Sequence, residues 1–282
     1  MRARRQKPLF LTFVAVTALS ACSGGHPDEE PTANGMTSNR AAPAPNAALA
    51  NDTAPIDKPQ KLSAKVDGFE FEYQWPGEAA AIPALDSWLR GNGESLRKSN
   101  QSDAMAAKAE AKKDAFVFNG YSYQEDYTAA ANTPRFLVLI SDGYVYTGGA
   151  HGMPINTAIL WDKASGKRLA TSTLIDLPRF AAAARKRFCD ALDKQREEKR
   201  GEPVRHDDPN DIVDFNSCVD LTKQLVVPIS HGGRALDTVQ VIIGPYEAGP
   251  YSEGRYVIDL PLDAGLLATV KPAYRDAFAP AD

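Results

Sequence analysis

Histidine and cysteine are scarce in this sequence, with four and three residues among 282. His26, His151, His206 and His231 are scattered. None forms a His-x-x-x-His pair or joins a cysteine cluster, so no metal site is expected. His206-Asp207-Asp208, with Asp211 and Asp214, is acidic. It lacks the glycine and terminal glutamate of a calcium loop and reads as a solvated loop. Long apolar runs are missing too. Residues 8–19 make a run of twelve, whereas a spanning helix needs roughly 17–25 residues. No glycine-rich loop precedes a helix as a phosphate cradle would. Nucleophile motifs fail as well. Ser95-Leu96-Arg97-Lys98 has Ser-x-x-Lys spacing but no Ser-Asp-Asn or Lys-Thr-Gly partner. Pro250-Tyr251-Ser252-Glu253-Gly254 puts proline where a Gly-x-Ser-x-Gly elbow needs glycine. No catalytic residue and no cofactor is therefore expected.

What is present begins at the N-terminus. Arg2, Arg4, Arg5 and Lys7 precede the apolar run, and Leu19-Ser20-Ala21-Cys22 closes it. A basic start, a short apolar core and small residues at the end read as a secretory signal. The last four residues resemble the lipobox of bacterial lipoproteins, whose thiol is alkylated with diacylglycerol before cleavage. The resemblance implies that residues 1–21 are a signal peptide, that Cys22 carries the lipid, and that a membrane holds the chain. Ser23, in place of Asp, implies the outer membrane facing the periplasm. Of residues 23–60, 26 are Ala, Pro, Asn, Gly, Ser or Thr, and none is aromatic. Such a segment cannot bury enough apolar surface to offset its ordering entropy, so residues 22–60 read as a lipidated, disordered stalk.

Residues 1–21 contain four basic side chains and no acidic ones, so their removal takes the net charge from −4 to −8. This disfavours nucleic acid, which needs clustered Lys and Arg, and it permits a cationic partner. With Cys22 lipidated, Cys189 and Cys218 remain. An isolated pair in an oxidising compartment reads as a disulfide.

The rest of the chain mixes two periodicities. Residues 68–73 alternate apolar and polar as a half-buried strand does. Pro83 opens a helix with Leu85, Trp88 and Leu89 on one face, interrupted at Gly91 and Gly93, and residues 94–113 read as a mostly exposed helix. Residues 116–127 alternate again. Phe136-Leu137-Val138-Leu139-Ile140 reads as a strand buried on both faces, with Asp142-Gly143 as a turn before Tyr144-Val145-Tyr146. Residues 155–161 form another strand, followed by a hairpin turn at residues 162–167. Asp176 caps a helix with Phe180, Ala184, Phe188 and Leu192 four apart, and Gly201 ends it. Residues 225–229, 239–243 and 255–260 are strands. Leu266, Val270, Tyr274 and Phe278 mark a closing helix bent at Pro272. Strands and helices without regular alternation argue an α+β fold with a largely antiparallel sheet and packed helices.

Two stretches carry a family likeness. One is Tyr144-Val145-Tyr146-Thr147-Gly148-Gly149-Ala150-His151-Gly152, leading to Trp161-Asp162 and Ser165-Gly166-Lys167. The other is Ile243-Gly244-Pro245-Tyr246-Glu247-Ala248-Gly249-Pro250-Tyr251, followed by Gly254. Together they resemble the extracytoplasmic region shared by RsiV-type anti-sigma factors and the N-terminal part of PdaC-type peptidoglycan deacetylases. The resemblance implies two consecutive intertwined subdomains, at residues 61–153 (PdaC N-terminal-like) and 154–282 (RsiV C-terminal-like). It also implies binding of a lysozyme-like protein, as RsiV-type members do. A peptidoglycan- or glycan-binding or processing role is the alternative. No sigma-binding segment and no deacetylase catalytic domain is recognised, so neither activity is carried over. The candidate binding residues are Gly148, Gly149, His151, Tyr246, Glu247, Tyr251 and Glu253. His151 reads either as a ligand contact or as a buried residue pinning a turn. The tyrosines read either as loop contacts with much area for little lost entropy or as packing on the sheet edge.

Overall fold

The structure is a computed structural model that describes residues 57–206 and 213–281. Cys22, the stalk to residue 56 and the acidic stretch 207–212 lie outside the described residues.

The fold is α+β, with a mostly antiparallel seven-stranded sheet, a three-stranded sheet and packed helices. The larger sheet runs β1 (Gln60–Val66), β2 (Phe69–Trp75), β3 (Tyr121–Asn132), β4 (Phe136–Tyr146), β6 (Ala158–Asp162), β7 (Lys167–Leu169), and β5 (Met153–Ile155) also pairs with β4. Among the described strands of this sheet, only β2 and β3 pair in parallel. Parallel neighbours need a crossover, and the Pro83–Lys113 helix supplies it. That helix runs straight through Gly91 and Gly93, contrary to the expected interruption. A Cβ at Gly93 would come within 2.8 Å of both Leu62 and Tyr73. The glycine therefore lets the helix lie close on β1 and β2 rather than ending it.

β4 alternates between two cores. Leu137 and Leu139 face an aromatic core with Phe71, Tyr73, Trp75 and Leu85. Phe136 and Val138 face a second core built with the Leu177–Arg200 helix and the smaller sheet. The apolar run of β4 is thus buried on both faces, as expected. Asp142-Gly143 is no turn, because β4 is laddered there to both β3 and β5. Strand 155–161 is split into β5 and β6. β1 falls where the stalk was expected to end. Its alternating, half-exposed pattern is that of an edge strand and carries little apolar signal. The strand expected from residue 116 starts only at Tyr121, leaving Phe116 74% and Val117 85% exposed.

The Leu177–Arg200 helix matches its sequence pattern. Asp176 accepts a hydrogen bond from the Arg179 N–H, and Gly201 closes the helix at φ 74°. The smaller sheet is the antiparallel meander β8 (Leu225–Ile229), β9 (Thr238–Ile243), β10 (Tyr256–Pro261). The closing helix is replaced by a short helix Ala264–Leu267 and a 3-10 turn Pro272–Ala277. Proline starts the second piece, where its missing N–H has no cost. Cys189 and Cys218 form a disulfide. Among the described residues, no helix is long and apolar enough to cross a membrane.

Candidate functional site

The two stretches singled out in the sequence meet in space. The 148–152 turn leaves β4 and returns as β5, with Val145 opposite Met153. Its backbone is held by the tyrosines of the strand it leaves. The Tyr146 hydroxyl donates to Gly149 O at 3.0 Å, and the Gly152 N–H donates to Tyr144 Oη at 2.8 Å. Gly148 sits at φ 82°, and its carbonyl accepts from Asn119 at 3.2 Å. A Cβ on Gly152 would approach the Tyr144 ring and the Val145 carbonyl to 2.5 Å.

The second loop reaches this turn through Tyr251. Its hydroxyl donates to Gly152 O at 2.9 Å, and its ring stacks on His151 with centroids 3.9 Å apart. His151 Nδ1 lies 2.9 Å from the same carbonyl. A carbonyl only accepts, so Nδ1 carries the proton in this contact. His151 is exposed rather than buried. Tyr246 continues the row, 5.8 Å from Tyr251 and 50% exposed. It sits at φ 69°, a left-handed conformation that costs a side-chain-bearing residue about 1–2 kcal/mol. Its N–H donates to Gly249 O at 3.0 Å, which fixes the turn. The result is a row of rings, with Tyr246 and His151 exposed, Tyr251 half-buried between them, and Tyr144 alongside. Partial desolvation and then the neighbouring Tyr144 and Tyr246 raise the Tyr251 phenol above its ordinary range. Glu247 is exposed on the same loop.

Glu253 does not join that surface. Arg200 donates to its carboxylate at 2.8 and 3.2 Å, and the Tyr256 hydroxyl donates as well. Burial opposes its charge, but these donors hold its carboxyl below the usual range. Lys199 donates to the carbonyls of Glu253 and Arg255, and Arg196 to that of Ala248. Arg196 is fully buried, and it also donates to Asp193 and to the Asn216 and Ser217 carbonyls beside Cys218. The helix end therefore clamps the loop that carries Tyr246 and Tyr251. Sequence reasoning missed Arg196 and Arg200. Their signal was the four-residue stripe 180, 184, 188, 192, which continues to 196 and 200 on the inward face. Asp142 and Arg255 form a bidentate pair at 2.8 and 3.1 Å, joining β4 to the start of β10.

Residues 62–154 match the family model described as Deacetylase PdaC. This stretch is therefore similar to a PdaC-type domain. The matched stretch runs from β1 to β5, so it includes most of the aromatic core and the 148–152 turn but not the Tyr246 loop. A crystal structure of a DUF3298 family protein from Pseudomonas aeruginosa is similar at 15% identity and a TM-score of 0.44, covering 80% of this chain and 100% of that one. A DUF3298 family member from Bacteroides fragilis is similar at 14% identity and a TM-score of 0.45, covering 74% and 91%. No curated protein matches the chain. Among the described residues, no group of three or more His, Cys, Asp or Glu is placed to hold a metal ion.

Proposed function

We propose that this chain is a membrane-tethered, extracytoplasmic binding lipoprotein that recognises a cationic envelope protein, a lysozyme-like muramidase being the leading candidate. One observation carries the reading. Two loops separated by about a hundred residues converge on one carbonyl, Gly152 O, and present a row of rings beside it whose two ends are exposed. Rigid aromatic anchors held by backbone hydrogen bonds lose little entropy on binding. The resemblance to RsiV-type proteins supports a lysozyme-like partner, and such proteins are commonly basic. The net charge of −8 on the chain from Cys22 onward supports electrostatic steering of that partner. The signal-like N-terminus and Cys22 support anchorage in the envelope, with Ser23 favouring the outer membrane.

The test is titration calorimetry of the full chain against several lysozyme classes at low and physiological salt. At least one class should bind with a Kd below about 10 μM, and binding should weaken at the higher salt as the charge attraction is screened. If none does, the partner assignment is wrong. Binding of cell-wall glycan fragments to the same rings would then replace it.

A further inference from the structure

A second site lies at the other end of the larger sheet, away from the aromatic row. The register places Asn132 opposite Leu137 and Leu137 opposite Trp161, so these three share one face at the strand ends. Lys163, in the turn just past β6, lines the same cavity. Asn132, Trp161 and Lys163 line an open cavity of about 730 Å³, whose apolar walls include Pro59, Pro76 and Ile82. That volume lies within the roughly 300–1,000 Å³ of small-molecule sites.

Trp161, Lys163 and Asn132 bring donor capacity to this cavity that no acceptor among the described residues uses. Trp161 is only 5% exposed, yet its indole N–H meets no acceptor among the described residues and is not sealed from solvent. Lys163 Nζ gives two hydrogen bonds, to Asn132 Oδ1 and Thr133 O, both at 2.6 Å. An ammonium has three protons, so one remains. Because Asn132 turns its oxygen to Lys163, its amide NH2 is a third donor without an acceptor among the described residues. Three donors, one of them charged, call for an anionic oxygen pair rather than a neutral or cationic group. Burial lowers the Lys163 pKa, and a bound anion would oppose that shift. Asp57 and Glu78 also line the cavity, and both are exposed. They repel a polyanion and favour a positive group beside them.

We propose that this cavity binds a small amphipathic zwitterion, an amino acid or short peptide. Its carboxylate meets Trp161, Lys163 and Asn132, its apolar body lies on Pro59, Pro76 and Ile82, and its ammonium points toward Asp57 and Glu78. The proposal stands apart from the aromatic row and does not depend on it. The probe is the dipeptide Ala-Leu, titrated into the full chain by calorimetry and by tryptophan fluorescence, beside Ala-Leu amide and N-acetyl-Ala-Leu. Ala-Leu should saturate with a Kd below about 1 mM, and the amide should bind at least about tenfold more weakly. Acetylation should weaken binding by roughly threefold, as an exposed charge contact does. Trp161→Phe should remove most of the fluorescence response, and Lys163→Met should weaken binding about tenfold. If Lys163→Met fails to fold, the acid-against-amide comparison on the unaltered protein decides. Equal binding of acid and amide, or no saturable response up to roughly 10 mM, overturns the assignment.

Discussion

Replacing Arg196 with methionine is the sharpest test of how the site loop is held. Methionine keeps most of the apolar stem and removes the guanidinium. Arg196 is 0% exposed and donates at 3.0 Å to Ala248 O, 3.2 Å to Asn216 O, 2.9 Å to Ser217 O and 2.9 Å to Asp193. Hydrogen bonds from a charged group contribute about 1.5–3 kcal/mol each. They do not add, because water and relaxation recover part of the loss. Removing one partner of a buried charged network costs about 3–5 kcal/mol, and that range is expected here. Arg97→Met is the control. Arg97 pairs with Glu94 on the surface of the Pro83–Lys113 helix, where such pairs contribute about 0.3–0.5 kcal/mol. Urea unfolding at unchanged m-value measures both. Amide exchange should also accelerate at residues 246–251 in Arg196→Met alone. A loss below about 1 kcal/mol, or a loss equal to that of Arg97→Met, would refute the clamp.

Other outcomes follow from the same contacts. Cys189→Ser with Cys218→Ser should cost about 3–4 kcal/mol on the chain-entropy model, read from urea midpoints of the two forms. Gly152→Ala should destabilise by roughly 1–3 kcal/mol, since its methyl meets the Tyr144 ring and the Val145 carbonyl; thermal melts report it. The folded-state pKa of Glu253 is depressed below the ordinary 4.5. Its contribution is therefore present above that value and lost as pH falls through the folded value, and Glu253→Gln should flatten the stability profile in acid. Cys22→Ala should release the protein from the membrane fraction, and an acylated N-terminal peptide should be found only in the unaltered chain.

Much of the fold was legible because burial wrote it into side-chain periods. The run at β4 is apolar at every position because each face meets a different core. The stripe on the Leu177–Arg200 helix marks the face turned to β10 and the short Ala264–Leu267 helix. Errors fell where tertiary contacts overrode local preference. Gly93 looked like a breaker, but it marks a close approach to Tyr73. Asp142-Gly143 looked like a turn, but ladders on both edges keep it extended. β1 escaped notice because an edge strand exposes half of its residues.

For the site, both glycine- and tyrosine-rich stretches stood out, but their meeting at Gly152 O is a long-range contact that no local pattern encodes. Glu253 stood out for its place in the loop, and the arginine that turns it inward lies 53 positions away. Trp161 and Lys163 looked like an ordinary strand end, because their unpaired donors appear only when β3, β4 and β6 align.

The central claim is that the row Tyr246, Tyr251, His151 is a protein-binding surface. The most direct measurement is the affinity of a strongly basic lysozyme for the full chain, for Tyr251→Ala and for Tyr274→Phe, the last being remote from the row. The account predicts a Kd below about 10 μM for the unaltered chain and for Tyr274→Phe, with Tyr251→Ala weaker by roughly 30-fold, the effect of losing a central aromatic anchor. A folded Tyr251→Ala protein that binds as tightly as the unaltered chain would contradict it.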